Sequence, residues 1–276
     1  MKKVFYFMVS VLVLLLFILS IRAPLITHFA FVPDVLSQAP DEPLYGAENV
    51  WFNTSDGYRL HGLFFSSSSA SNDVVLYLHG NAGHLFNRVE TAKELSQQGI
   101  NVFLIDYRGY GLSEGLISEA GFYDDAQSAL NWLLVDKGFN VSDVSVLGRS
   151  IGSVAAMKLA VDNAVNSVVL VSPIANASAM ARAMNMSFIS PFAFGALDNL
   201  DRAKRLQRPL LIVHGDADVM VPIDQGRDVY AAATLLQSSK KQFVSVKDAD
   251  HHNVRKTLGD KYWPLILSFI SHAKES

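Results

Sequence analysis

Six short, mostly apolar runs constrain this chain most: Val74–Leu78, Val102–Ile105, Val144–Leu147, Val168–Val171, Leu210–Val213 and Phe243–Val246. Each is rich in β-branched residues and lacks the polar alternation of a strand with one wet face. Continuous runs of this kind suit strands buried on both sides, as in a parallel sheet. Parallel neighbours need long crossovers, and segments of helical length separate the runs, at about 86–98, 119–136, 151–164, 223–237 and 262–273. In the second of these, Phe122, Ala126, Ala129 and Leu133 fall near helical spacing. Ahead of the runs, Val50–Asn53 and Tyr58–Phe65 flank Ser55, Asp56 and Gly57, which predicts a hairpin. The expected class is therefore α/β, a mostly parallel sheet of about eight strands with helices on both faces. Its crossovers should be right-handed, and its active groups should gather at the carboxyl ends of the strands.

Composition narrows the function. Half of the 276 residues are hydrophobic and 18% are charged, which excludes a disordered chain and supplies a large core. The formal charge of −3 argues against a nucleic-acid partner, which calls for a basic face. The chain has no cysteine, so disulfides, thiolate metal sites and a thiol nucleophile are excluded. There is no phosphate-binding P-loop sequence. Gly109-Tyr110-Gly111 lacks the last glycine of a dinucleotide loop, so no cofactor is implied. No internal repeat is visible, and Ser66–Ser71 reads as a surface loop.

Lys2 and Lys3 precede Val4–Ile21, an uncharged apolar stretch that Arg22 and Pro24 close. As a helix it would reach roughly 27 Å, close to the hydrocarbon thickness of a bilayer. A cleaved signal peptide and an uncleaved anchor compete. The small-residue pattern of a cleavage site is poor here, which favours the anchor. Residues 1–22 are thus expected to be a transmembrane anchor, 23–43 a proline-rich connector and 44–276 the globular domain. The two lysines favour a cytoplasmic N-terminus, which would place the domain on the non-cytoplasmic side.

The chemistry concentrates at Gly148-Arg149-Ser150-Ile151-Gly152. A buried strand runs straight into this Gly-x-Ser-x-Gly, and a helix-forming stretch follows. A nucleophile elbow needs that context: the tight turn strains the serine and lifts its hydroxyl above the sheet. The glycines leave room for neighbouring backbone. A serine hydroxyl attacks only when a base takes its proton, and the base needs a third group to fix its tautomer. Two carboxylates, Asp216 and Asp218, follow the Leu210–Val213 run, and His251 and His252 follow Phe243–Val246. Adjacent histidine side chains diverge, so the pair makes a poor metal site.

With these motifs in place, the sequence resembles the α/β-hydrolases over about residues 48–272. The likeness rests on Leu78-His79-Gly80-Asn81-Ala82-Gly83, on Asp106 through Gly115, on the serine elbow, on His214-Gly215-Asp216-Ala217-Asp218 through Pro222, and on the His251 segment. Within that superfamily it looks like the membrane-anchored serine hydrolases that include acyl-protein thioesterases and lysophospholipid or monoacylglycerol hydrolases. The resemblance implies Ser150 as nucleophile, Asp218 in preference to Asp216 as acid, and His251 in preference to His252 as base. It also implies an oxyanion hole from the backbone N–H groups of Asn81 and Ile151. Asp216 is then a turn residue. His79 and His214 are structural, and Asp106 and Arg108 form a buried ion pair or bind backbone.

The segment from Pro173 to Leu200, where such folds insert a cap, is short. Its Met180, Met184, Met186, Phe188, Phe192 and Phe194 would line an acyl pocket or pack a helix on the core. The expected function is hydrolysis of esters or thioesters of lipophilic acids, with a lipid or small-molecule acyl substrate as partner. A serine aminopeptidase-like peptidase is the rival enzyme, and a non-catalytic binding protein on the same fold is the rival class.

Overall fold

The computed structural model describes residues 2–41, 44–69 and 71–275, and their side chains except at 3–5, 11, 12, 14–19, 21 and 275. Glu42 and Pro43 of the expected connector, and Ala70 of the serine-rich loop, lie outside the described residues.

The chain opens with helix α1 (Lys2–Ala30) and enters the sheet through β1 (Glu48–Asn53) and β2 (Arg59–Phe65). Then β3 (Val74–Leu78), α2 (Val89–Ser96), β4 (Asn101–Ile105), α3 (Glu119–Val135), β5 (Val144–Arg149), α4 (Gly152–Asp162) and β6 (Ser167–Val171) alternate. After β6 come two short helices, α5 (Ala177–Ala183) and α6 (Asn199–Arg205). The chain ends with β7 (Leu210–Gly215), α7 (Ile223–Ala232), β8 (Lys241–Val246), α8 (Val254–Leu258) and α9 (Tyr262–Glu275). Among the described residues eight strands form one sheet in the order β1-β2-β4-β3-β5-β6-β7-β8. The pairs β1–β2 and β2–β4 are antiparallel, and the rest are parallel. The α/β sheet expected from the six apolar runs is what the chain builds.

The runs are continuous because both faces are covered. Val74, Leu76 and Leu78 of β3 join the core that holds Phe122, Ala126 and Ala129 of α3, Val154 of α4 and Val229 of α7. Their neighbours Val75 and Tyr77 join the other core, with Val89, Ala92 and Leu95 of α2 and Ile266 and Ile270 of α9. Alternate residues of one strand thus serve two cores, so no position on it is free to be polar.

The N-terminal expectation is corrected. Among the described residues no helix is long and apolar enough to cross a membrane. The single-pass anchor is withdrawn, and with it the topology that put the domain on the non-cytoplasmic side. The helix boundary moves as well, because the sequence suggested that Arg22 and Pro24 end the apolar helix. The helix instead runs on through Pro24 to Ala30. Its last turns are committed to the domain: Ile26 is buried, and the Arg22 guanidinium donates from Nε to the Phe192 carbonyl at 2.9 Å and from Nη2 to that of Phe194. Phe31 then enters the main core, edge-on to Phe122 at 5.3 Å between ring centroids.

Candidate active site

Strand β5 delivers Ser150 to a turn that leaves its φ at +52°, in the left-handed region that L residues rarely adopt. Close contacts force the turn. A Cβ added at Gly152 would sit 2.2 Å from the Leu78 carbonyl oxygen and 2.5 Å from that of His79. One added at Gly148 would meet Ala156 Cβ at 2.6 Å. Only glycine lets α4 start this near β3. The Ser150 N–H donates to the Val171 carbonyl at 2.9 Å, and the Ser150 carbonyl accepts from the Ser153 N–H at 3.0 Å.

Asp218 and His251 meet because the turns after β7 and β8 are stitched together. The Asp216 N–H donates to the Val246 carbonyl and the Ala217 N–H to the Ala249 carbonyl. Asp216 itself accepts the Asp248 N–H at 2.7 Å, so its carboxylate holds backbone. Asp218 lies in contact with the imidazole: its Oδ2 is 2.7 Å from His251 Nδ1. Its Oδ1 accepts the N–H groups of Met220 and Val221 at 3.0 and 2.8 Å. Burial alone would raise the pKa of Asp218. The imidazoles of His214 and His251, the Val221 N–H and the charge on His251 outweigh it and hold the carboxyl well below the usual carboxylate range. With Nδ1 so engaged, the Nε2 of His251 is the ring nitrogen left for another partner. His251 is buried whereas His252 is exposed, with the two rings perpendicular. Asp250 accepts the N–H groups of His252 and Asn253, which tightens the turn that presents His251.

Arg149 reaches from the residue before the serine to the His251 carbonyl at 2.7 Å, tying the elbow to the histidine turn. His79 and His214 are fully buried. His79 bonds the Gly80 carbonyl and Asp106, and His214 bonds the Val221 carbonyl. Of the two uses expected of Asp106 and Arg108, an ion pair with each other or bonds to backbone, Asp106 takes the second, and the two do not pair. Asp106 faces His79 at 3.1 Å and accepts the Leu85 N–H, whereas Arg108 points to Asp125, Asp56 and Asp124.

Ser150, Ile151 and Asn81 line one cavity of about 300 Å³. Met180, Met184, Met186 and Phe192 of the short cap line it too, but Phe188 and Phe194 point to solvent. Sequence reasoning missed a second wall: Leu25, Ile26, Phe29 and Ala30 of α1. Their spacing, two adjacent pairs one helical turn apart, was the available signal. It missed the Asn81 side chain as well, which donates to the Ala30 carbonyl and accepts from the Val32 N–H and the Tyr110 hydroxyl.

Strand order narrows the class: an antiparallel entry, a parallel run of strands, and the candidate side chains Ser150, Asp218 and His251 after β5, β7 and β8 make an α/β-hydrolase frame. Known proteins agree. The serine aminopeptidase S33 family matches residues 69–196. The bem46 protein of Schizosaccharomyces pombe is 30% identical over 233 residues, 81% of this chain and 76% of that one. The alpha/beta hydrolase domain-containing protein WAV2 of Arabidopsis thaliana is 28% identical over 242 residues, covering 81% and 78%. An esterase of Pyrococcus furiosus superposes with a TM-score of 0.74 at 19% identity, over 88% of this chain and 97% of that one. The chain belongs to the α/β-hydrolase superfamily and is a hydrolase of that family.

Proposed function

We propose that this hydrolase cleaves carboxylic esters or thioesters of lipophilic acids through an acyl-enzyme. Ser150 attacks the acyl carbonyl while His251 Nε2 takes its proton, and Asp218 fixes the tautomer by holding Nδ1–H. The N–H groups of Asn81 and Ile151 receive the developing oxyanion. The imidazolium then gives its proton to the leaving oxygen or sulfur. Water, activated by the same imidazole, releases the acid and restores the serine. The observation that carries this reading is the 2.7 Å contact between Asp218 and His251, with a strained serine beside an apolar cavity.

The aminopeptidase description of the matching family sets up a second reading. A site for a free amino terminus would want a carboxylate beside the nucleophile, and none of the described residues lining the cavity is acidic. The lining favours an acyl chain over an ammonium group.

The test is labelling with a fluorophosphonate, which reports an activated serine. Wild type should be labelled and Ser150→Ala should not. Equal labelling of both would remove Ser150 from its role. Competition by acyl esters, thioesters and aminoacyl amides then ranks the substrates, and a preference for the amides would overturn the ester reading.

A further inference from the structure

The cap inserted after β6 is short, yet apolar side chains from beyond it also line the cavity beside Ser150. Helix α1 supplies the missing side. Ile26 and Ala30 line the cavity together with Met180 and Met186, and so does Phe29, although 42% of Phe29 remains accessible. A helix end docked only for stability would bury its large aromatic ring in the core, as the next aromatic residue, Phe31, does. Phe29 instead lines the cavity and stays accessible to what enters it.

The wall is fastened at both ends. Arg22 fixes α1 to the cap through the Phe192 and Phe194 carbonyls. At the other end the Asn81 amide donates to the Ala30 carbonyl at 3.0 Å and accepts the Val32 N–H at 2.8 Å. Tyr110 donates its hydroxyl to the same Asn81 oxygen at 2.7 Å. Burial pushes the Tyr110 phenol well above its usual value, so it stays a donor at any working pH. Beyond this point Asp34 and Leu36 exchange backbone bonds with Gly111 at 2.7 Å each. The helix end is thereby bonded to the loop that carries the Asn81 N–H.

We infer that residues 22–32 are a second cap that determines acyl specificity. Ile26, Phe29 and Ala30 set the length and branching of the chain that the cavity accepts, and Asn81 couples the seating of this cap to the oxyanion loop. The inference rests on the serine-hydrolase reading above. The cavity lies at the small end of ligand pockets, so the preferred substrates are esters of medium-length, unbranched acids.

The experiment uses the full chain and a series of p-nitrophenyl esters: acetate, octanoate and 2-ethylhexanoate. Ala30→Phe keeps the backbone bonds to Asn81 and puts a ring into the cavity. It should lower the octanoate-to-acetate ratio of kcat/KM by roughly ten- to a hundredfold, the scale on which an apolar pocket discriminates. Phe29→Ala widens the same wall without touching the core. It should raise the 2-ethylhexanoate-to-octanoate ratio by roughly tenfold, and it decides the matter alone if Ala30→Phe does not fold. Ratios unchanged in the folded variants, with wild-type Ser150 labelled by fluorophosphonate, would overturn the second cap and leave the hydrolase reading standing. Wild type that the probe does not label would overturn both.

Discussion

Replacing Asp218 by Asn tests the proposed relay at its most constrained atom. Two backbone N–H groups hold Oδ1, and His251 Nδ1 sits 2.7 Å from Oδ2, with His214 Nε2 at 3.4 Å. The amide can keep its oxygen on the backbone and turn NH₂ toward His251. Alternatively it can flip, which would leave two N–H groups unpaired at about 1–3 kcal/mol each. The first arrangement wins. An NH₂ facing Nδ1 forces the ring proton onto Nε2, so the imidazole can no longer take a proton from Ser150. The same exchange in a serine protease costs about 10⁴ in kcat. A loss of roughly 10³–10⁴, about 4–5.5 kcal/mol of barrier, is expected here. The assay is kcat on a short ester, with near-UV circular dichroism to verify packing. A folded variant that loses less than about tenfold would refute the reasoning. The same carboxyl gives a pH signature. Its folded pKa is depressed, so its stabilisation is fully present above about pH 4 and is lost as pH falls toward the folded value. The stability gap between wild type and Asp218→Asn, read from urea midpoints, should therefore shrink below about pH 4.

Asp216→Ala separates the two candidate acids: it removes one bond to the Asp248 N–H, so activity should stay within about tenfold of wild type and stability should fall by roughly 1 kcal/mol. A loss matching that of Asp218→Asn would reverse the assignment. Arg108→Ala removes the guanidinium that faces the buried Asp125 carboxyl, with Nε at 2.7 Å, and leaves that carboxyl only the main-chain N–H of residue 108. Urea unfolding should show a loss of about 3–5 kcal/mol, and a loss below about 1 would show that the pair is dispensable. Gly152→Ala drives a methyl into the Leu78 and His79 carbonyls, so Tm should drop and fluorophosphonate labelling should slow together. A variant with wild-type Tm would show that the elbow has slack.

The sheet was legible because it is specified locally. A run such as Val74–Leu78 has no polar position to spare, and that pattern has one common solution. Gly152 was legible for the opposite reason: where two backbones nearly touch, a single residue type remains. The partners of Arg108 were not legible. Asp106 stands two residues away in sequence, while Asp125 and Asp56 arrive from α3 and the hairpin turn. Charge pairing in a core depends on which elements meet, and short-range spacing carries no record of that.

The residues 22–32 expose the same limit in its sharpest form. An apolar helical stripe states that a face will be covered, and it is silent on what covers it. Arg22 and Pro24 read as punctuation because a charge and a helix breaker usually end a buried run. Here the arginine serves as a clamp on two cap carbonyls, and the helix passes through the proline. What decides between these uses is the partner surface: a short cap that leaves one side of the Ser150 cavity open, and an asparagine side chain placed to capture the helix end. Neither is encoded within ten residues of Arg22. The side of the cavity made by α1 therefore follows from the tertiary fold, and a local reading of its sequence had no means to supply it.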